Sequence, residues 1–529
     1  MRKKPQKTLQ LSKTSMGTKH FGSTGSGRLL ILKQKGGTSL VRDFKQELQT
    51  YFGLDTFKPG QLEALEALET GKQVMALMPT GGGKSLIYQL FAQGKSGLTV
   101  IVSPLIALMQ DQLAQLQLGG FKGAMALNSA LSPQAFNQAL TQLGDYRFLF
   151  LSPEMIQQGR VKDRLRQLAI DLFVVDEAHC ILQWGVDFRP EYSQLKALRQ
   201  DLGRPLTLAL TATASPAELG TIQSYLFDPE ERVKTVKLPL DRPNIFYDCE
   251  LLDAADKFEF LGQKLSHLPK PGIVYVHQKA ELEALSQTFR AQGLNVAAYH
   301  ADLPDSQRFA IQEQFLNHSL DVIFATSAFG MGINQADLRF VIHYHLPFSL
   351  NELSQESGRA GRDRKQAYHL ILVDQEEKRR MLYFRQHPEE EADNFLALLA
   401  HSFKLTDRQI SQLSHGLDQG VSARLDFYRF HFNDFDQAKA HYQAYIKKNQ
   451  AALDHLLALV EGETCLRQGL LDYFQSEEEG EKPAFCCSRC QPNFESLAPW
   501  QAYLTSGQAA KKAGRPNWQE RLDQLFNRK

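Results

Sequence analysis

Val74-Met-Ala-Leu-Met-Pro-Thr-Gly-Gly-Gly-Lys-Ser85 carries an apolar run straight into three glycines, a lysine and a serine, and a segment of helical period starts at Leu86. A short apolar strand, a glycine turn and a helix in that order open a βα unit of a parallel sheet. The glycines let the backbone curl so that its N–H groups face phosphate oxygens, and the following helix adds its positive end. In the cradle formed by Thr80, Gly81, Gly82, Gly83, Lys84 and Ser85, Lys84 is expected to reach the β- and γ-phosphates and the Ser85 hydroxyl to sit on Mg²⁺. Met78 stands where the strict phosphate-loop pattern has glycine.

The same rhythm extends on both sides. Leu98–Val102, Phe148–Leu151, Leu172–Val175 and Leu206–Leu210 read as strands buried on both faces, separated by helical segments such as Leu105–Leu118. Asp176-Glu-Ala-His179 ends one of these strands, where a carboxylate meets the metal of a phosphate loop. Asp176 is expected to hold Mg²⁺ through water, and Glu177 to orient and deprotonate the attacking water. His179 completes this catalytic group. The rhythm restarts near Asp241 with Gly272–Val276, Val296–Tyr299, Val322–Ala325, Phe340–His343 and Leu370–Val373. The fold class is therefore α/β: two tandem parallel-sheet lobes, followed by helical, charged segments of which Ala438–Val460 is the clearest.

Composition agrees with a folded chain. Of 529 residues, 43% are hydrophobic and 10% aromatic, which excludes a disordered or collagenous protein. Charge nearly cancels over the whole chain at +1, yet residues 1–42 hold ten basic residues and no acidic one. A basic arm thus precedes a mildly acidic body, and either adds a salt-sensitive attraction to nucleic acid or is an idle tail. No run approaches the ~18 apolar residues of a membrane span, and a soluble, cytoplasmic chain is expected. The expected boundaries are a disordered arm over 1–41, lobes over 42–240 and 241–375, a helical insertion with a cysteine module over 376–495, and a polar tail over 496–529.

With the phosphate loop and Asp176-Glu-Ala-His179 in place, the chain resembles a superfamily 2 helicase, and the other motifs follow in order. Phe57-Lys-Pro-Gly-Gln61 resembles the motif that reads adenine, which assigns Lys58 and Gln61 to the nucleotide. Ser103-Pro-Leu-Ile-Ala-Leu-Met-Gln-Asp111 resembles a strand-contacting motif, and Thr211-Ala-Thr-Ala-Ser215 the coupling motif. Ala325-Thr-Ser-Ala-Phe-Gly-Met-Gly-Ile333 and Gln355-Glu-Ser-Gly-Arg-Ala-Gly-Arg-Asp363 resemble the last two motifs. The resemblance implies that Ser103 and Thr326 touch DNA and that Gln355 faces the nucleotide. It also implies that Arg362, with Arg359 second, reaches across the cleft to the γ-phosphate.

The resemblance narrows to the RecQ family of ATP-dependent DNA helicases through Cys180-Ile-Leu-Gln-Trp-Gly-Val-Asp-Phe-Arg-Pro-Glu-Tyr192, Asp241-Arg-Pro-Asn-Ile245 and Ala298-Tyr-His-Ala301. In the first of these, Trp184 and Phe188 suit stacking on unpaired bases and Arg189 suits phosphate. Leu54 replaces an aromatic, Lys58 an arginine and Asn334 an aspartate of the family pattern.

Six cysteines are present, and Cys465, Cys486, Cys487 and Cys490 fall near the C-terminus. In a cytosolic chain such a cluster favours metal over disulfides. It resembles the RecQ zinc module, although Ala484 stands where the family has a ligand and Cys486 adjoins Cys487. Only 39 residues follow Cys490, fewer than the winged-helix and helical domains of longer relatives need, so a short form is expected. Leu405-Thr-Asp-Arg-Gln-Ile410 could open a helix-turn-helix with Thr406 or Asp407 as its cap, or simply belong to a helical spacer.

The resemblance implies ATP, Mg²⁺ and Zn²⁺ as cofactors, single-stranded and forked duplex DNA as partner, a nucleoid-associated monomer, 3′→5′ tracking, and a role in DNA repair or recombination. Two alternatives share the ATP chemistry: an RNA helicase of the DEAH type, and a DNA translocase or binder that separates no strands.

Overall fold

The computed structural model describes residues 42–512, except for residues 80, 105, 122, 129–130, 184–191, 193, 330–334, 387–388, 415, 418 and 477–482. The first sheet has seven strands: β1 (Gln73–Leu77), β2 (Leu98–Val102), β3 (Ala124–Leu127), β4 (Phe148–Leu151), β5 (Ile170–Val175), β6 (Thr207–Thr211) and β7 (Val233–Lys237). They lie in the order β3-β4-β2-β5-β6-β1-β7, and every pairing is parallel. The second sheet has six: β8 (Ile245–Leu252), β9 (Gly272–Tyr275), β10 (Val296–Tyr299), β11 (Val322–Ala325), β12 (Phe340–His343) and β13 (Ala367–Asp374). Their order is β10-β11-β9-β12-β13-β8, again all parallel. The α/β class with two tandem lobes is thus observed.

Register places the chemistry. Leu77 pairs with Thr211 and Val102 with Val175, so the residues that follow β1, β2, β5 and β6 emerge along one edge of the first sheet. In an open parallel sheet this C-terminal edge is where ligands bind. Crossover helices cover both faces, which is why the central strands β2, β4, β6, β9, β11 and β12 are buried at every position.

Strands β3, β7 and β8 are not among the expected apolar runs. All three lie at sheet edges, and β7 and β8 carry Lys234, Lys237, Asp248 and Glu250. An edge strand needs fewer buried faces and tolerates charge, so its sequence lacks the continuous apolar signal. The cysteine segment covers part of the β8 edge. Tyr247 N donates to Cys486 O at 3.2 Å and Ser488 N to Tyr247 O at 3.0 Å.

Beyond β13 the chain is helical. Glu389–Ser402, Asp407–Ser414, Gln419–His431 and the start of Phe435–Glu461 enclose their own small core of Phe395, Leu399, Leu425, Tyr428 and Tyr442. Thr406 precedes the second of these helices, with its backbone N and its hydroxyl both on Gln409 Oε1 at 3.0 and 2.8 Å. The segment expected as a polar tail contributes the helix Ala498–Lys512. Its Trp500 and Tyr503 are 3% exposed and pack with Phe246 and Tyr368 on the second lobe and with Phe485 and Phe494 of the cysteine segment. Burial of an aromatic side chain of this kind contributes ~1.5–3 kcal/mol, enough to hold the helix in place.

Candidate active site

The phosphate loop is shaped by two left-handed glycines, Gly81 (φ +84°) and Gly83 (φ +71°). A Cβ at Gly83 would lie 2.6 Å from Gln61 Nε2, so glycine is required there by space as well as by backbone. Lys58 and Gln61 grip this loop. Lys58 Nζ donates to Gly81 O at 2.7 Å, and Gln61 Nε2 to Gly83 O at 2.9 Å and Gly82 O at 3.2 Å. Gln61 Oε1 accepts from Lys58 N at 2.8 Å. Gln61 is 2% exposed, and its amide is bound to the loop itself. Lys84 and Ser85 open the helix Lys84–Gln93 directly after Gly83.

Asp176 and Glu177 leave the end of β5 beside this helix. Lys84 Nζ stands 3.8 Å from Glu177 Oε1 and, although buried, makes no hydrogen bond among the described residues. A buried ammonium with no hydrogen bond, on the residue that follows the glycine cradle, fits a phosphate-bearing ligand. Burial, then the charge of Glu177, pushes the Asp176 carboxyl up to about 7. Burial also pushes Glu177 upward, but Lys84, His179, Arg359 and Arg362 together outweigh it and hold this carboxyl below its usual value. Glu177 has φ +49°, a conformation that a residue with a Cβ adopts at a cost of order 1–3 kcal/mol and that clusters at functional sites. A carboxylate pair at the mouth of a phosphate cradle also has the hard oxygen chemistry that suits Mg²⁺.

His179 connects the two motifs of the first lobe. Its Nδ1 lies 3.1 Å from Thr211 Oγ1 and 3.3 Å from Glu177 Oε2, and burial lowers its pKa. Thr211 Oγ1 donates to Thr213 O at 3.2 Å. The helix Pro216–Leu226 that follows is fixed by a capping box between Ser215 and Glu218. Glu218 then accepts from Asn351 Nδ2 of the second lobe at 2.9 Å.

The second lobe delivers Arg359 and Arg362 from the turn after the helix Leu350–Ser357. Arg359 is 4% exposed. The Arg362 side chain faces Gly81 across the cleft, and burial, followed by its neighbours Arg359 and Arg242, lowers its pKa to about 9. Gln355 lines a small cleft with Pro79, Thr213 and Arg242, between the two lobes. The structure therefore brings Lys58, Gln61, Gly81, Gly82, Gly83, Lys84, Ser85, Asp176, Glu177, His179, Gln355, Arg359 and Arg362 to one cleft.

Arg242 and Asn244 are site residues that the motifs alone do not single out. Arg242 donates to Gly358 O at 2.7 Å, Ala360 O at 2.8 Å and Gly361 O at 2.7 Å. Asn244 Nδ2 donates to Gly361 O at 2.8 Å and Lys365 O at 2.7 Å. Their signal is Asp241-Arg-Pro-Asn-Ile245, a run of polar side chains at the start of β8 whose partners lie more than a hundred positions away.

Of the residues expected at DNA, Ser103 and Thr326 lie at the C-terminal ends of β2 and β11. Ser103 is buried, and Thr326 N donates to Tyr299 O at 3.1 Å. Trp184, Phe188 and Arg189, like Thr80, Asn334 and the arm over 1–41, lie outside the described residues.

The sulfur atoms of Cys465, Cys486, Cys487 and Cys490 all lie within 4.8 Å of one another. Cys465 Sγ is 3.5 Å from Cys486 Sγ and 3.7 Å from Cys487 Sγ. A tetrahedral Zn²⁺ with bonds of ~2.3 Å places its sulfurs about 3.8 Å apart, so the set fits zinc. Pairing with β8 sets the path of the strand that carries Cys486 and Cys487, and both sulfurs converge on Cys465.

Comparison with known proteins agrees with this geometry. The DEAD/DEAH box helicase pattern matches residues 58–222, and the helicase conserved C-terminal domain matches residues 256–364. The chain is 36% identical over 497 residues to the probable ATP-dependent DNA helicase RecS of Bacillus subtilis, covering 91% of this chain and 98% of that protein. It is 39% identical over 322 residues to the ATP-dependent DNA helicase RecQ of Pasteurella multocida, covering 60% of this chain and 50% of that one. The chain thus spans nearly all of its RecS relative and about half the length of this RecQ. Among solved structures, the Mycobacterium smegmatis helicase Lhr bound to ssDNA and AMP-PNP shares the fold, with a TM-score of 0.53 at 20% identity over 63% of this chain and 47% of Lhr. Near-complete coverage of RecS, together with both helicase lobes, makes this chain a member of the RecQ family of ATP-dependent DNA helicases.

Proposed function

We propose that this helicase hydrolyses ATP with the residues gathered at the interlobe cleft and converts lobe closure into 3′→5′ tracking on one strand of DNA. The observation that carries the reading is the placement of Lys84, Glu177, Arg359 and Arg362, two from each lobe, around one cradle. Lys84 offsets charge on the β- and γ-phosphates, and the backbone N–H groups of residues 81–85 hold their oxygens. Ser85 and Asp176 would hold Mg²⁺, which neutralises phosphate charge when bound. Glu177, kept ionised by the surrounding cations, takes a proton from the attacking water. Arg362, assisted by Arg359, stabilises charge that develops on the equatorial oxygens. Lys58 and Gln61 hold the loop in shape from behind, and Gln355 borders the phosphates.

Because the cradle belongs to one lobe and the arginines to the other, hydrolysis is complete only when the lobes close. His179, Thr211 and Glu218 carry that closure toward Asn351 and the edge where Ser103 and Thr326 meet DNA. By the family resemblance, Trp184 and Phe188 stack on unpaired bases and Arg189 neutralises phosphate. Cys465, Cys486, Cys487 and Cys490 would hold a structural Zn²⁺ that staples the helix Leu466–Phe474 to the second sheet. The reading places the protein with DNA in the cytoplasm, in repair or recombination. The basic arm adds a sequence-independent attraction to phosphate. No helix among the described residues is long and apolar enough to cross a membrane.

The test is DNA-stimulated ATPase and unwinding of fluorescent forked duplexes with a 3′ or a 5′ tail. The reading expects ATP-dependent separation of the 3′-tailed fork only. Separation of the 5′-tailed fork alone would reject the polarity, and equal separation of an RNA duplex would favour the RNA-helicase reading.

A further inference from the structure

Arg467, in the helix that follows Cys465, is 2% exposed, yet it carries a charge. Its Nη1 donates to Asp241 Oδ1 at 2.6 Å and to Arg242 O at 2.9 Å, and its Nη2 donates to Ile245 O. Asp241 is 4% exposed, so this is a buried ion pair between the thiol module and the first residue of Asp241-Arg-Pro-Asn-Ile245. Within that segment Arg242 and Asn244 hold the carbonyls of Gly358, Ala360, Gly361 and Lys365, which bracket Arg359 and Arg362. Gly361 itself has φ +57°, and a Cβ there would lie 2.4 Å from Asn244 Nδ2. The turn is therefore held tightly by these two side chains.

Arg467, two residues after Cys465, is thus bonded to Asp241 and to the carbonyls of Arg242 and Ile245, and Arg242, next in sequence to Asp241, in turn holds the arginine turn. Removing one partner of a buried pair leaves an uncompensated charge that the surroundings must move to satisfy. The atoms that move first are the anchors of the arginine turn. Displacement of a reacting-site group by about 1 Å can cost ~10²-fold in rate.

We propose that Arg467 and Asp241 are positioning residues for ATP hydrolysis, through which the cysteine module sets where Arg359 and Arg362 stand opposite Glu177. The proposal rests on the assignment of those two arginines to the γ-phosphate. It gives the cysteine module a task in the chemical step, separate from any contact of its own with DNA.

The test uses the full chain carrying Arg467→Gln, Arg467→Lys or Asp241→Asn. Zinc per chain, affinity for single-stranded DNA by anisotropy, and kcat and KM for ATP at saturating DNA are measured on each. Arg467→Gln and Asp241→Asn should lower kcat by ~10- to 100-fold, following the displacement cost above, while KM, DNA affinity and zinc content stay within about threefold. Arg467→Lys, which still neutralises Asp241, should recover part of the loss. Arg362→Ala combined with Arg467→Gln should lose little beyond Arg362→Ala alone, since both act on one element. If Arg467→Gln does not fold, Asp241→Asn keeps the shape of its side chain and carries the same test. Unchanged kcat in the zinc-loaded variants, or losses that multiply with Arg362→Ala, would overturn the proposal. If Arg359→Ala and Arg362→Ala themselves left kcat unchanged, the arginine assignment would fail first and take the proposal with it.

Discussion

The side chain of Arg362 on the second lobe packs over Gly81 of the phosphate loop on the first, and a Cβ added at Gly81 would stand 3.6 Å from its Cγ and Cδ. The two lobes therefore meet at the point where phosphate is expected. At Gly81 the left-handed backbone, with φ +84°, already disfavours any side chain. A protein whose arginine stands beside a phosphate cradle is arranged to act on whatever the cradle holds.

That arrangement predicts a strong rate effect with little effect on binding. Arg362→Ala should lower DNA-stimulated kcat by ~10³-fold or more while nucleotide affinity changes far less, the behaviour of an arginine finger. Arg362→Lys should recover little, because a point charge does not reproduce the planar fork. Steady-state ATPase and binding of a fluorescent nucleotide separate the two quantities. A large change in affinity with kcat intact would assign Arg362 to ground-state binding.

On the opposite wall, Lys84→Ala and Glu177→Gln should each lower hydrolysis by at least ~10²-fold. They should differ in binding. Glu177→Gln keeps a side chain of the same shape and should retain ATP, whereas Lys84→Ala should weaken it. Turnover close to that of the parent in Glu177→Gln would remove the base from the account.

Much of this site is legible in the order of the amino acids alone. Gly81 to Ser85 and Asp176 to His179 announce themselves because phosphate and metal chemistry demand particular residue types at strand ends. Buried strands such as β2 and β11 are equally plain, since both faces must be apolar. What stays hidden depends on distant pairing. Arg467 and Asp241 are 226 positions apart, and neither looks unusual among its neighbours. Trp500 and Tyr503 sit in a polar stretch that reads as tail, and the rings of Phe246 and Tyr368 on the second lobe, with Phe485 and Phe494 of the cysteine segment, give them a place to bury. The grip of Gln61 on the loop is likewise invisible in sequence, because its amide partners are backbone carbonyls of the glycines.

A pH effect follows from the second lobe's interior. His343 Nε2 lies 2.8 Å from Glu356 Oε2 and His343 Nδ1 lies 2.9 Å from His369 Nε2, all buried. Burial pushes Glu356 up to about 8, despite Arg359, and lowers His343 to about 4. The contact is thus a hydrogen bond between neutral groups and not an ion pair. Between about pH 4.5 and 8 the folded chain holds a proton on Glu356 that the unfolded chain has released, so stability from this group is lost as pH rises through that window. Below about 6.5 His343 and His369 act in the opposite sense, because unfolding lets them take up protons. Glu356→Gln, which stays neutral at every pH, should flatten the upper limb and gain roughly 2–4 °C in Tm over the parent between about pH 6.5 and 8.5. Melting curves across that range check it, and parallel curves for the two proteins would show that Glu356 is ionised in the fold.

The sulfur cluster predicts about one zinc per chain by elemental analysis. Cys486→Ser, Cys487→Ser and Cys490→Ser should each reduce zinc content and lower Tm, since metal binding and folding of this module are linked. Cys486→Ser is the informative variant, because Cys486 lies next in sequence to Cys487 and yet its sulfur is 3.5 Å from that of Cys465. Full zinc content in that variant would show that three thiolates and some other ligand suffice.

The central claim is that ATP hydrolysis at this cleft separates DNA strands, and strand separation with a forked DNA duplex carrying a 3′ tail measures it most directly. The account predicts separation that requires ATP and Mg²⁺, is lost in Glu177→Gln, and proceeds in parallel with DNA-stimulated hydrolysis in the parent protein. Hydrolysis stimulated by DNA with no strand released from the fork, at any enzyme or ATP concentration, would contradict it.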